Sequence, residues 1–119
     1  MTNQELGQFG EDLAAAYLKK NGHEILVRNY RLQHLEIDIV TQFDNKIHVV
    51  EVKTRQTAEI GEPWRAVTRS KQRQIIKVAD HYIQSKDIAL ETQFDIVSIV
   101  HNGFRTDLEY IDDAFTPFV

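Results

Sequence analysis

A chain of 119 residues that is 42% hydrophobic and 27% charged has the composition of one globular domain, not of a disordered segment. It contains no cysteine, which excludes disulfides, thiolate metal sites, iron–sulfur clusters and cysteine nucleophiles. A formal net charge of −4 argues against holding nucleic acid by overall charge alone.

The first element reads as a helix, because Leu6, Phe9, Leu13, Ala16 and Tyr17 recur at three- and four-residue steps. Asn3 is its expected cap and Asn21-Gly22 its stop. Gly7 and Gly10 weaken it, which points to a close approach by another segment. The longest apolar run, residues 13–18, is far short of the roughly 20 residues that span a bilayer. Residues 1–5 lack a basic region followed by an apolar one, so no signal peptide is expected and a cytoplasmic location fits.

Three strands are expected next, over residues 24–30, 35–41 and 46–54. In the second, Leu35, Ile37 and Ile39 alternate with Glu36, Asp38 and Val40. In the third, Ile47, Val49, Glu51 and Lys53 alternate with His48, Val50 and Val52. Phe43-Asp44-Asn45-Lys46 is the turn between them. A polar loop over 56–63 carries Gly61 and Pro63. A second helix follows, capped by Thr68, with Gln72, Ile75, Ile76, Ala79, Tyr82 and Ile83 as its inner stripe. Residues 94–100 form a strand, Asn102-Gly103 a hairpin turn and residues 108–111 the return strand. The order is α-β-β-β-α-β-β, an α/β (α+β) layered domain over residues 1–119 with no repeat or linker.

The register of the second hairpin brings chemistry together. A turn centred on Asp44-Asn45 sets Asp38 opposite Glu51 and Glu36 opposite Lys53. Directly opposed side chains share a face about 4.5–5.5 Å apart at Cβ. Two carboxylates there repel, and a divalent cation bound by oxygen relieves the repulsion. Asp38, Glu51 and the Val52 carbonyl are the candidate ligands, Mg²⁺ or Mn²⁺ the natural ions, and Lys53 the group that holds a water or neutralises a phosphorane. The same residues also suit an ordinary solvent-facing strand, with Glu36 and Lys53 as a surface pair.

Charge is segregated along the chain. Residues 53–77 hold seven basic and two acidic residues, a balance of +5, against −9 elsewhere. Arg55, Arg69, Lys71, Arg73 and Lys77 are the candidate phosphate contacts, and Arg69, Arg73 and Lys77 form a ridge at four-residue spacing. The five histidines show no ligand spacing and read as surface or satisfied residues. Trp64 reads as a loop anchor, with base stacking the alternative.

Several segments resemble the YraN-type family of small bacterial proteins. They are Gly7, Gly10, Glu11, Ala14, Tyr17 and Leu18; Arg28-Asn29-Tyr30-Arg31; Glu36-Ile37-Asp38; and Val50-Glu51-Val52-Lys53-Thr54-Arg55. Gly61 with Pro63, Ala66-Val67-Thr68 with Lys71-Gln72-Arg73, Phe94-Asp95-Ile96-Val97 and Ala114-Phe115 complete the set. That family resembles Holliday-junction resolvases and the PD-(D/E)xK restriction-endonuclease-like superfamily. The resemblance implies a mixed central sheet flanked by helices, with Asp38, Glu51 and Lys53 in the catalytic positions. It adds Glu11 from the first helix and Gln72 from the second. The chain departs from the family in carrying Leu35 where glycine is usual, and Asp112 or Asp113 where histidine is common.

The expected function is a metal-dependent endonuclease acting on DNA by structure rather than sequence, at branched or junction sites, with no membrane segment and as a homodimer. The alternatives are a non-catalytic nucleic-acid-binding module of the same fold and an interaction protein with a structural metal.

Overall fold

Thr2, not the expected Asn3, caps the first helix. Its Oγ1 accepts from the Glu5 N–H at 3.1 Å, and Glu5 Oε1 accepts from the Thr2 N–H at 2.9 Å, a reciprocal capping box. Asn3 is then the first residue of α1 (Asn3–Lys20). Asn21 ends it, and Gly22 follows at φ +93°, a left-handed turn that favours glycine.

The computed structural model describes residues 1–57 and 67–117. Most of the expected loop over 56–63, with Gly61 and Pro63, and also Trp64, Arg65 and Ala66, lies outside the described residues. Among those described, α1 is followed by β1 (Glu24–Leu32), β2 (Leu35–Phe43), β3 (Lys46–Arg55), α2 (Arg69–Ser85), β4 (Glu91–His101) and β5 (Thr106–Phe115). The class is α+β, in the order expected.

The strands form one mixed sheet in the order β1-β2-β3-β4-β5. Only β3 and β4 run parallel, and α2 lies in the crossover that a parallel pair requires. The helices cover opposite faces. Helix α1 lays Ala14, Ala15 and Leu18 on Ile39, Val50, Val97 and Ile99. Helix α2 lays Ile75, Val78, Ala79 and Tyr82 on Ile37, Val40, Ile47, Val49, Phe94 and Ile96. Both faces being covered explains why β3 and β4 are apolar on successive positions. No helix among the described residues is long and apolar enough to cross a membrane.

The β2–β3 turn is the two-residue kind, with Asp44 at φ +53° and Asn45 at φ +60°, the residues and angles of a type I′ hairpin. Pairing runs from Phe43↔Lys46 to Ile39↔Val50, the register expected of a turn centred there. The simple alternation expected for β2 does not hold. Ile37 joins Val40 in the cluster beneath α2, while Ile39 lies under α1. The reversal falls at Asp38. In β1 the residue facing it is Asn29, left-handed at φ +54°, between the pairs Arg28↔Ile39 and Tyr30↔Ile37.

At the opposite end of β3 lies a buried polar network that scattered histidines do not reveal in sequence. His48 Nδ1 meets Asp95 Oδ2 at 2.8 Å and Nε2 meets the Phe43 carbonyl at 3.2 Å. Both partners are acceptors, an arrangement that favours a ring donating from both nitrogens. Burial opposes the charge, but the Asp95 contact outweighs it and raises the His48 pKa. Asp95 is fully buried, yet donors from His48, Tyr110, the Asp113 N–H and Gln93 hold its carboxyl below the usual range.

Helix α1 crosses β3 at Gly10. A Cβ there would stand 1.7 Å from Thr54 Oγ1 and 2.8 Å from Thr54 Cβ. The close approach expected of Gly10 is real, whereas a Cβ at Gly7 would meet nothing within 4 Å. Gly10→Ala is expected to lower stability by about 1–3 kcal/mol. Adding Thr54→Ala should recover part of that stability, since it removes the closest overlap and a buried Oγ1 without a hydrogen-bond partner but keeps the Cβ at 2.8 Å. Urea unfolding of the single and double variants measures both; a silent Gly10→Ala would show that the helix does not rest on Thr54.

Candidate metal centre

The β2–β3 ladder stops at Ile39↔Val50, one residue short of Asp38. There a side chain takes over from the backbone. Asp38 Oδ2 accepts the Val52 N–H at 2.8 Å. In a strand, the N–H and C=O of one residue point to the same edge. The Val52 carbonyl therefore faces the same gap as the Asp38 carboxylate.

Glu51 completes the gap. Its Oε2 is buried with no hydrogen-bond partner, and the two carboxyl groups are close enough to shift each other's titration. Burial and then the negative charge of Asp38 push the Glu51 pKa up to about 9, against the pull of Lys71 and Lys53. Burial also raises Asp38, to about 6, though the Val52 N–H works the other way. The pair therefore holds protons to higher pH than two free carboxyl groups would, Glu51 more so than Asp38.

Helix α1 adds Glu11, whose charge also raises the Asp38 pKa. Glu11 is held at 3.2 Å by Arg28 Nε and at 3.0 Å by Asn29 Nδ2. The same Asn29 amide reaches Glu36 Oε1 at 3.0 Å, and Arg31 Nε donates to Glu36 Oε2 at 2.9 Å. Glu36 therefore turns to β1 and not to Lys53. The pairing with Lys53, expected from extending the register, fails because the ladder has already ended.

Lys53 is exposed and two residues beyond Glu51. Lys71, in the first turn of α2, is half-buried and its charge reaches both carboxylates. Gln72 Nε2 donates to the Val67 carbonyl at 3.1 Å and so fixes the start of α2. Arg69, Arg73 and Lys77 lie along α2, with Arg69 and Arg73 exposed, and Arg55 is half-buried at the end of β3. Leu35, half-buried, packs on the cluster beneath α2.

A second set of donors, from His48, Asp95 and Asp112, lies within 4.8 Å of one another. Both Asp95 oxygens and both His48 nitrogens already have partners within the protein. The Asp38–Glu51 gap differs from this set in holding an oxygen without a partner.

The model of the uncharacterised protein family UPF0102 matches residues 10–99. A UPF0102 protein of Christiangramia forsetii is 40% identical over 116 residues, covering 98% of each chain. One from Chloroherpeton thalassium is 43% identical over 96% of this chain and 95% of its own. One from Dictyoglomus thermophilum is 41% identical over 97% of this chain and 100% of its own.

The raised carboxylates have a consequence for stability. A carboxyl whose folded pKa exceeds its unfolded value keeps its proton after the unfolded chain has released it. Stability of the metal-free protein should then fall as pH rises from about 4.5 towards about 9. Glu51→Gln keeps the donor to Asp38 and removes the titration. With a chelator present at pH 8, it should gain about 1 kcal/mol or more, roughly 3–6 °C in Tm. Thermal melts across pH 5–9 test this, and identical slopes for the two proteins would show that the pair is not strained.

Proposed function

The chain belongs to the uncharacterised protein family UPF0102, and we propose that it is a divalent-metal-dependent endonuclease that hydrolyses DNA phosphodiester bonds at branched or junction structures. One observation carries this: Asp38 and Glu51 meet half-buried in the gap, with a buried Glu51 oxygen left unpartnered. Two carboxyl groups held together at a cost to their ionisation are a feature that a purely structural sheet would avoid.

The donor set fits a hard cation. Asp38, Glu51 and the Val52 carbonyl are all oxygen ligands, which favours Mg²⁺ or Mn²⁺. Such an ion supplies a polarised phosphate oxygen and a bound water of lowered pKa. The chain's own groups do the rest. Lys53, exposed beside Glu51, holds the attacking water or neutralises charge growing on the phosphate. Lys71 balances the carboxylates from α2, and Glu11 adds a carboxylate from α1. Arg69, Arg73 and Lys77 track the phosphate backbone along α2 while Arg55 contacts it from the end of β3, which positions DNA without reading its sequence. A two-fold homodimer presents two such ridges to a junction.

Calorimetric titration of Mn²⁺ should show binding to the wild type and little to Asp38→Asn, and the same variant should cleave no junction substrate. Lys53→Ala should abolish cleavage while keeping the metal. Equal Mn²⁺ affinity in wild type and Asp38→Asn would overturn the centre. Cleavage-independent binding that survives both variants would favour a non-catalytic nucleic-acid-binding module.

The basic ridge has its own test. Replacing Arg69, Arg73 and Lys77 with alanine should flatten the slope of log affinity against log salt by about 0.9 for each phosphate no longer neutralised. Fluorescence anisotropy with a labelled four-way junction, Ca²⁺ replacing Mg²⁺, measures the slope. An unchanged slope would mean that the ridge is only a solvated face.

A further inference from the structure

Phe104 stands on the turn between β4 and β5 with 98% of its surface exposed. A single exposed apolar residue is ordinary on a loose loop, but this turn is closed by hydrogen bonds. Asn102 Oδ1 accepts from the Phe104 N–H at 2.8 Å and the Arg105 N–H at 3.2 Å. The Asn102 N–H donates to the Arg105 carbonyl at 3.0 Å, and its Nδ2 donates to the Gln56 carbonyl at 2.7 Å. The turn that carries the ring is thus held by four hydrogen bonds, one of which ties it to the residue after β3.

Beside the turn is a cavity of about 240 Å³ lined by Met1, Leu6, Gln56, His101, Asn102 and Gly103. It is below the roughly 300–1,000 Å³ of drug-sized pockets and is the scale of one flat ring system. Leu6 gives an apolar wall. His101 gives an aromatic one, stacked on Phe9 with centroids 4.1 Å apart. Gln56 is exposed and offers an amide. Among the described residues, no carboxylate side chain lines the cavity.

Its position links it to the metal centre. Strands β3 and β4 run parallel with Arg55 beside Val100, so Gln56 and Asn102 extend the sheet end that carries Glu51, Lys53 and Arg55. Leu6 is five residues from Glu11 on α1, about 7.5 Å along the helix axis. Gln56 is five residues from Glu51, roughly 17 Å of strand, the length of about five stacked nucleotides.

Resting on the nuclease reading above, we propose that this cavity and Phe104 form a base-binding site, which takes an unpaired nucleobase a few nucleotides from the scissile phosphate. Phe104 supplies a stacking face, and the Leu6–His101 cavity receives an unstacked base. The substrate is then DNA with a single-stranded arm or a splayed branch point, because a base in a closed duplex reaches neither surface.

The test is binding of a forked oligonucleotide with 2-aminopurine in its single-stranded arm, with Ca²⁺ in place of Mg²⁺, against a blunt duplex of equal length. Wild type should change the probe's fluorescence and prefer the fork. Phe104→Ala should weaken fork binding by about 5- to 150-fold, the range of one base stack, and leave duplex binding and Tm unchanged. Phe104→Trp should restore the preference. Equal fork affinity in wild type and Phe104→Ala would overturn the base site while leaving the nuclease proposal standing. Fork preference that persists in Asp38→Asn, without cleavage or Mn²⁺ binding, would support the base site while the catalytic proposal is judged separately. Failure of the wild type to bind any of the oligonucleotides would overturn both.

Discussion

The end of the β2–β3 ladder governs how the carboxylates of this protein are arranged. Backbone pairing stops at Ile39↔Val50, and the next strand N–H on that edge, that of Val52, is taken by the Asp38 side chain. A strand edge without its partner must satisfy its polar groups some other way. Using a carboxylate for this purpose brings a negative charge into the sheet beside Glu51. One local substitution, side chain for backbone, therefore creates a gap, a charge and an unpartnered oxygen together. Continued pairing would have closed the gap.

Holding that arrangement takes unusual backbone on the neighbouring strand. Asn29 is left-handed where it faces Asp38, and its amide then bridges Glu11 and Glu36. A left-handed asparagine costs less than most residues there, and it supplies hydrogen bonds as well. Gly10 lets α1 lie against Thr54, close enough for Glu11 to feel Asp38. From the other face, α2 begins with Thr68 as cap and brings Lys71 within reach of both carboxylates. Each helix contributes a charged residue to the sheet gap. Neutralisation by Lys71 and Lys53 is incomplete, which is why burial still dominates both carboxyl pKa values.

Much of this is legible in the residues, and the failures have definite causes. The turn at Asp44-Asn45 is short and its angles are the ones those residues favour, so register could be counted from it. That count located Asp38 and Glu51 together. It failed at Glu36 because counting assumes that a ladder continues, and no local pattern announces where pairing stops. It also misassigned the faces of β2, since alternation cannot register a reversal produced opposite a left-handed residue on the neighbouring strand. Thr2 takes the cap from Asn3 because Glu5 completes a reciprocal pair only with the residue three before it. The His48–Asp95 pair is separated by 47 residues, and only the parallel pairing of β3 and β4, itself a long-range event, brings them together.

The two polar nodes on β3 pull stability in different directions. At the His48 end, the Asp95 carboxyl is lowered and the His48 ring is raised, so folding favours both charged forms. That contribution fades in acid, as Asp95 is protonated, and fades again as pH rises past the raised His48 value. At the Glu51 end, folding favours the protonated forms, so the contribution is lost as pH rises. A chain that keeps a strained centre can do so because a second, satisfied network stabilises the same strand. The His48 network joins β3, β4 and β5 at one end of the sheet through fully used donors and acceptors. The other end holds the Asp38–Glu51 pair, with a Glu51 oxygen left without a partner. A single strand thus carries one network that is satisfied, at His48, and one that is not, at Glu51.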